Sequence, residues 1–303
     1  MPFEEFDYDG PTKCGFVSII GRPNVGKSTL LNAMMNEKLA LVSHKANATR
    51  KRLNAIAMYK NAQIIFVDTP GLHEKEKLLN QFMLAEAIKA IGDSDMTIFI
   101  ADARDSLEHY KRFLELTNEA TPHILVLNKI DQTTHDALLQ KIDAYSAYQD
   151  KFLELVSISA TDTSTLSTLF EAIVKHLPEG PFLYDTDLLT TETTADIYKE
   201  FIREAIFNGL SDEIPYESDV VVNELKETPK LVSIKATIII EKDSQKGIII
   251  GKGGATIKRI GKNARLTIEQ FAEKKVFLEL FVKVKRGWSK NKRDLSDIGY
   301  EYD

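Results

Sequence analysis

Residues 16–36 read FVSIIGRPNVGKSTLLNAMMN. The first part, FVSIIG (16–21), is a short apolar run closed by a glycine, which predicts a buried strand. The last part, GKSTLLNAMMN (26–36), has helical spacing. Between them, Gly21-Arg22-Pro23-Asn24-Val25-Gly26-Lys27-Ser28 fits the phosphate-loop pattern in the strand–loop–helix setting it requires. Its glycines let backbone amides turn inward around phosphate oxygens, and the helix that follows presents its positive end to the same anion. Lys27 is expected to neutralise the β- and γ-phosphates, and Ser28 to offer its hydroxyl to Mg2+. Thr29, in the first helical turn, is grouped with them.

Outward from this stretch, strands and helices alternate to about residue 177. AQIIFVDTPG (62–71), MTIFIADA (96–103), HILVLNKID (123–131) and LVSISA (155–160) read as further strands. Most are continuous Val/Ile/Leu-rich runs, as expected where helices cover both sheet faces. LLNQFMLAEAIKAI (78–91), DALLQKIDAYSAY (136–148) and TLSTLFEAIVKHL (165–177) read as helices. The expected fold is α/β, a doubly wound and mostly parallel sheet over residues 1–178. LPEGPFLYDTDLLTTET (177–193), with two prolines and a glycine, reads as a linker, bounded at 179–194. From 195 to 303 the order changes to helix, strand, strand, helices, strand, which predicts a small α+β domain with an antiparallel or mixed sheet.

Three more signals fall at strand ends of the first domain. Asp68-Thr69-Pro70-Gly71 puts a carboxylate where it can hold Mg2+ and a glycine amide where it can sense a γ-phosphate. Asn128-Lys129-Ile130-Asp131 offers a carboxylate, Asp131, that can accept both the N1–H and the exocyclic amine of guanine. Adenine has no matching donor pair, so this residue selects GTP over ATP. Asn128 and the stem of Lys129 are expected to brace the loop and cover the base. Ser159-Ala160 is placed to supply a backbone amide to guanine O6. All of these lie at strand C-terminal ends, where an open parallel sheet binds its ligand.

Composition agrees with an ordinary soluble, two-domain protein: 303 residues, 43% apolar, 28% charged. A single cysteine, Cys14, excludes a disulfide framework and a cysteine zinc cluster. No apolar run approaches the ~20 residues of a membrane helix, and the acidic opening MPFEEFDYDG has no signal-peptide core, so a cytoplasmic location is expected. No exposed apolar helix asks for a dimer, and a monomer is expected. Charge is uneven. The chain carries a net −6, yet residues 242–293 hold 15 Lys and Arg against 4 Asp and Glu. Such a segment on an acidic body is either a solvated surface or an anion-binding face.

Motifs within that segment favour nucleic acid. Ile250-Gly251-Lys252-Gly253-Gly254 carries a G-x-x-G loop before the helical ATIKRIGKNARLTIEQFAEKK. Its glycines allow close approach to a nucleic-acid backbone, with charge from Lys252, Lys258 and Arg259. The helix-first order resembles a type II KH fold, which reads about four nucleotides. Ile248, Ile249 and Ile250 are divided between core and groove floor, with core the better assignment. The last strand runs into Lys283, Lys285, Arg286, Trp288, Lys290, Lys292 and Arg293. Basic residues beside an aromatic suit phosphate contact and base stacking, although Trp288 equally suits a core cap.

From about Gly15 to the end of the basic segment the chain resembles the Era family of bacterial ribosome-assembly GTPases, a translation-factor-class group. Ser43-His44-Lys45-Ala46-Asn47-Ala48-Thr49-Arg50 and DTPGLH (68–73) sharpen the likeness. The resemblance implies that the first stretch is switch I and that Thr49 coordinates Mg2+ when GTP is bound. Ala46 and Ala48 replace a proline and a threonine usual in the family. Leu72 stands where many GTPases have a water-orienting glutamine; it cannot position water, so slow intrinsic hydrolysis is expected, with Leu72 turned away from the nucleotide. GTPases similar to this one with asparagine at the place of Asn24 can bind K+; otherwise Asn24 braces the loop. The expected catalytic set is Lys27, Thr49 and Gly71, with GTP/GDP, Mg2+ and K+ as cofactors. The implied partners are single-stranded 16S ribosomal RNA at its 3′ end and the small ribosomal subunit, whose assembly and rRNA maturation the chain would assist. Two rivals stand beside this: an RNA chaperone whose nucleotide only stabilises the fold, and a switch in peripheral contact with the inner membrane.

Overall fold

The computed structural model describes residues 10–43, 45, 48–71, 78–211 and 213–300. The described chain divides into two units. One lies within residues 1–40, 49–73 and 83–191, and the other within 41–48, 74–82 and 192–303.

The first unit is built on a six-stranded sheet: β1 (Lys13–Ile20), β2 (Leu53–Tyr59), β3 (Ala62–Asp68), β4 (Met96–Asp102), β5 (His123–Asn128) and β6 (Glu154–Ser157). The strand order is β2-β3-β1-β4-β5-β6. Only the β2–β3 pair is antiparallel; the others run parallel. Five helices connect them: α1 (Lys27–Met35), α2 (Leu78–Gly92), α3 (Glu108–Leu116), α4 (His135–Ser146) and α5 (Leu166–His176). β3, β4 and β5 are buried along their whole lengths, which is why their sequences are apolar without alternation. The chain leaves β1 to pair β3 on one side and β4 on the other. The ends of these strands therefore open a crevice at the residue where β1 stops.

Two elements were not legible. LNAIAMY became the edge strand β2, whose antiparallel hairpin with β3 has no βαβ pattern around it. α3 is a short, strongly amphipathic helix behind a turn. The segment read as a linker also departs from expectation in its first part. Leu189 accepts the Ile56 amide at 2.8 Å. The buried Gln63 side chain accepts the amides of Leu183 and Tyr184 at 2.8 and 3.0 Å and donates to Tyr184 O at 2.7 Å. A buried amide side chain needs such partners, and it fastens residues 183–189 along the sheet edge.

In the second unit, α6 (Thr194–Gly209), β7 (Ser218–Glu227), β8 (Leu231–Ile240), α7 (Asp243–Ile250), α8 (Ala255–Ala272), β9 (Lys275–Val284) and α9 (Lys292–Asp297) follow in order. The sheet is mixed: β7 and β8 antiparallel, β8 and β9 parallel. Helices cover one face of it. Ile234, Ile238, Val276, Phe201, Ile249, Ile260 and Ile268 form their shared core. The alternate residues of β8 and β9 point the other way.

Candidate nucleotide and nucleic-acid sites

The loop between β1 and α1 is fixed by steric need as much as by bonding. Gly26 has φ 105°, and a Cβ there would lie 2.4 Å from Asn128 Nδ2. Only glycine allows that contact. Gly21 is buried, and its place leaves no room for a side chain against Ile100 O. Asn24 also adopts a left-handed conformation, with φ 62°. Arg22 forms a two-bond ion pair with Asp105, at 2.5 Å on each arm. Val25 is buried, Pro23 and Thr29 are half-buried, and Pro23 packs against Gly71.

Lys27 opens α1 and is buried, its ammonium donating to Gly21 O and Arg22 O at 3.1 Å each. Burial lowers its pKa to about 8, against the opposing pull of Asp68. A buried ammonium at the mouth of a helix is primed for an anion.

Ser28 Oγ lies 3.1 Å from Thr49 Oγ1 and 3.1 Å from Asp68 Oδ2. Three oxygen donors from three separate segments thus converge. Oxygen-only donors suit Mg2+, which keeps waters and takes phosphate oxygens alongside one or two protein ligands. Among the described residues no group of three or more His, Cys, Asp or Glu could hold a metal alone. The donor set therefore fits Mg2+ brought with a nucleotide. Thr69 is buried and donates to Ile19 O at 2.8 Å; Pro70 and Gly71 are buried beside it. Leu72, His73, His44, Ala46 and Asn47 lie outside the described residues.

The residues expected to recognise the base form one bonded network. Register pairs Asp102 of β4 with Asn128 of β5. Asn128 donates to Val25 O at 2.7 Å and accepts from the Ala160 amide at 2.9 Å. The Ala160 amide, expected to serve guanine O6, is here shared with the Asn128 side chain. The Ser159 hydroxyl makes a contact the sequence did not suggest, donating to Asp131 Oδ1 at 2.6 Å. Asp131 itself is exposed, and the Ile130 amide donates to Ile158 O. Lys129 adopts φ 63° and donates to Asn24 O at 2.6 Å. Its ammonium also lies 3.1 Å from Asp102 Oδ2. Asp102 is buried, which alone would raise its pKa; Arg104 and Lys129 overcome this and hold the carboxyl ionised, well below the usual range. Asp102 was missed, although a carboxylate at the C-terminal end of a buried strand was the available signal.

In the second unit the G-x-x-G loop joins α7 to α8. Gly251, Gly253 and Gly254 all have positive φ, at 71°, 59° and 80°. A Cβ on Gly251 would fall 2.3 Å from Thr256 Oγ1. Lys252 and Lys258 are exposed beside the loop, and Arg259 donates to Gly209 O at 2.7 Å. Ile249 is core, Ile250 is half-buried, and Ile248 is 53% exposed. The core assignment is therefore corrected for Ile248, which lies on the side of α7 that faces solvent.

Four residues of the basic strand and its turn have partners or positions that the sequence did not show. Trp288 is fully buried and donates through its indole N–H to Glu217 O, so it presents no face to a base. Its turn is held by Glu241, which accepts the amides of Gly287 and Ser289 at 2.6 and 3.0 Å. Lys285 is bound to Asp294 and Asp297 of α9 at 3.0 Å each, and Arg286 pairs with Asp243. Lys283 is exposed, but strand alternation puts it on the sheet face opposite the helices.

A family model described as a 50S ribosome-binding GTPase matches residues 16–129, and one described as a KH domain matches residues 213–289. The chain is 52% identical over 294 residues to the GTPase Era of Helicobacter pylori (strain G27), covering 95% of this chain and 97% of that one. It is 48% identical over 286 residues to the GTPase Era of Campylobacter jejuni subsp. jejuni serotype O:23/36 (strain 81-176), covering 94% and 98%. Two solved structures each superpose with a TM-score of 0.91 at 34% identity, covering 96% of this chain and 100% of theirs. One is a variant of Aquifex aeolicus Era bound to GDP·AlF4−; the other is an Era in complex with MgGDPNP and nucleotides 1506–1542 of 16S ribosomal RNA.

Proposed function

The chain belongs to the Era family of GTPases, and we propose from that premise that it is a slow GTP-hydrolysing switch for RNA. In its GTP state it would bind single-stranded RNA at the 3′ end of 16S ribosomal RNA and assist small-subunit assembly. The observation that carries the nucleotide half is the convergence of Ser28, Thr49 and Asp68 beside Lys27. Those three oxygens would hold Mg2+. The ion, when bound, would offset charge on the phosphate oxygens.

The chain's own groups do the rest. Lys27 neutralises the β- and γ-phosphates from a buried position. Asp131, oriented by the Ser159 hydroxyl, accepts from the guanine edge, while Lys129 covers the base and ties its loop to the phosphate loop through Asn24 O. Thr49 and Gly71 report the γ-phosphate. Phosphoryl transfer needs positioning more than covalent chemistry. Since Leu72 has no polar group to orient water, turnover is slow until RNA or the nascent subunit contributes.

The 50S label of the first family description covers only residues 16–129. The whole-length likeness includes the KH domain, and an Era relative holds 16S RNA; the small subunit is therefore the partner we favour. If GTP tightens RNA binding, RNA must tighten GTP binding by the same factor. Measuring RNA affinity with a GTP analogue and with GDP tests this: unequal affinities are expected, and identical ones refute the switch. Lys27→Ala separates it from an RNA chaperone, which would keep its RNA-dependent activity without GTP.

A further inference from the structure

On the sheet of the second unit, one face packs on helices, and along β9 the other is left exposed by the described residues. β9 places Val276, Leu278, Leu280, Val282 and Val284 toward the helical core. Its alternate residues Phe277 and Phe281 are 56% and 48% exposed, large apolar rings left in water. Lys275 and Lys283 flank them on the same strand face, both exposed. Parallel register sets Phe277 beside Ser233, Phe281 beside Thr237, and Lys275 beside the exposed Leu231. Neither Lys275 nor Lys283 is paired with a carboxylate among the described residues. Glu279, between the two rings, is the one acid on this face of β9.

We propose that this open face of β9 is a second contact for single-stranded RNA, in which Phe277 and Phe281 each stack a base and Lys275 and Lys283 meet phosphates. It rests on the reading that the KH domain binds RNA. Four residues along a strand span about 13 Å. An extended single strand can bridge two rings at that spacing with a nucleotide between them. Aromatic rings with flanking cations on an open sheet are the recurrent design of sequence-tolerant stacking platforms. A protein partner would favour a broader apolar patch with fewer unpaired lysines. The inner residues of β9 belong to the domain core beside α8, so the strand that carries the open face is anchored by its other face. Lys283, which the sequence suggests as a phosphate contact, thereby acquires that role on the face where it lies.

The test uses the full chain with two RNAs, one of about four nucleotides, filling the KH groove alone, and one of about 14. Binding is measured by fluorescence anisotropy for the parent and for Phe277→Ala/Phe281→Ala. Both rings are exposed, so the fold should survive; an unchanged melting temperature verifies this. The double variant, losing two stacked bases, is expected to lose roughly thirtyfold or more in affinity for the long RNA and nothing for the short one. Phe277→Trp should keep full affinity, with an indole emission quenched by the long RNA only. Equal affinity of parent and double variant for the long RNA overturns the inference. So does concentration-dependent dimerisation lost in the double variant without an RNA effect, which would make this face a contact between copies. If the parent binds neither RNA, the KH reading itself fails, an outcome distinct from a failure confined to the long RNA.

Discussion

The Ser159 hydroxyl donates to Asp131 Oδ1 at 2.6 Å, so the carboxylate proposed to read guanine is held from the end of the neighbouring parallel strand, β6. Asp131 sits on an exposed turn. Without that tether it must be ordered by the nucleotide itself. Ser159→Ala is expected to weaken GTP binding by about 1 kcal/mol, near fivefold. It should also narrow the preference for GTP over ITP, which lacks the exocyclic amine. Titration of both nucleotides into parent and variant checks this; an unchanged GTP:ITP ratio contradicts it.

Asp102 acts one step further from the base. Its buried carboxylate is the counter-charge of Lys129, and Lys129 in turn bonds the phosphate loop at Asn24 O. Asp102→Asn keeps the shape and removes the charge. A loss of GTP affinity of roughly tenfold is expected, about the value of one charge-assisted hydrogen bond. Hydrolysis under saturating GTP should change little. Single-turnover kinetics beside equilibrium binding separates the two effects.

The pH dependence of nucleotide binding follows from Lys27. Its folded-state pKa is lowered to about 8, below the value of about 10.4 for a free lysine. Between those values the unfolded chain holds a proton that the nucleotide-free fold has released, so this group makes stability rise with pH there. Phosphate favours the ammonium and reverses the effect. GTP binding should therefore take up protons near pH 8 and weaken as pH rises above it. Calorimetry in buffers of different ionisation heat measures the uptake, and zero uptake at pH 8.5 would exclude this role for Lys27.

Asn24 sets a cation prediction. Asn24 is exposed on the phosphate loop with a left-handed backbone, and a K+ bound beside it would add charge near the β–γ bridge. Turnover is expected to be faster in K+ than in Na+ at equal ionic strength. Equal rates leave Asn24 as a brace alone.

Trp288 separates core from RNA contact. Because the ring is fully buried, Trp288→Ala should destabilise the second unit by about 3–5 kcal/mol. Trp288→Phe should lose part of that stability but keep RNA affinity. Loss of RNA binding by a well-folded Trp288→Phe would restore the stacking role.

The sequence carried the nucleotide site almost entire, because each of its parts is a local motif pinned to a strand end. Gly26, Lys27, Ser28, Asp68, Asn128 and Asp131 act where a strand stops, and strand ends are marked by apolar runs. What escaped was pairing across the sheet. Asp102 and Ser159 matter only once β4, β5 and β6 align, and no local pattern fixes that register. β2 escaped because a hairpin edge strand has neither a crossover helix nor a strict alternation. Trp288 was ambiguous since an indole among lysines fits both stacking and burial, and only the turn held by Glu241 decides between them. In β9 the basic run suggested a phosphate contact for Lys283 without a face, and only the strand's period of two places it away from the helices.

The central claim is tested most directly by calorimetric titration of the purified chain with Mg2+ and either a non-hydrolysable GTP analogue or its ATP counterpart. Asp131 should hold the guanosine nucleotide roughly a thousandfold tighter or more, since adenine leaves that carboxylate without its two donors. Equal affinity for the two would contradict guanine recognition at Asp131, and with it the assignment of this chain as a GTP-driven switch.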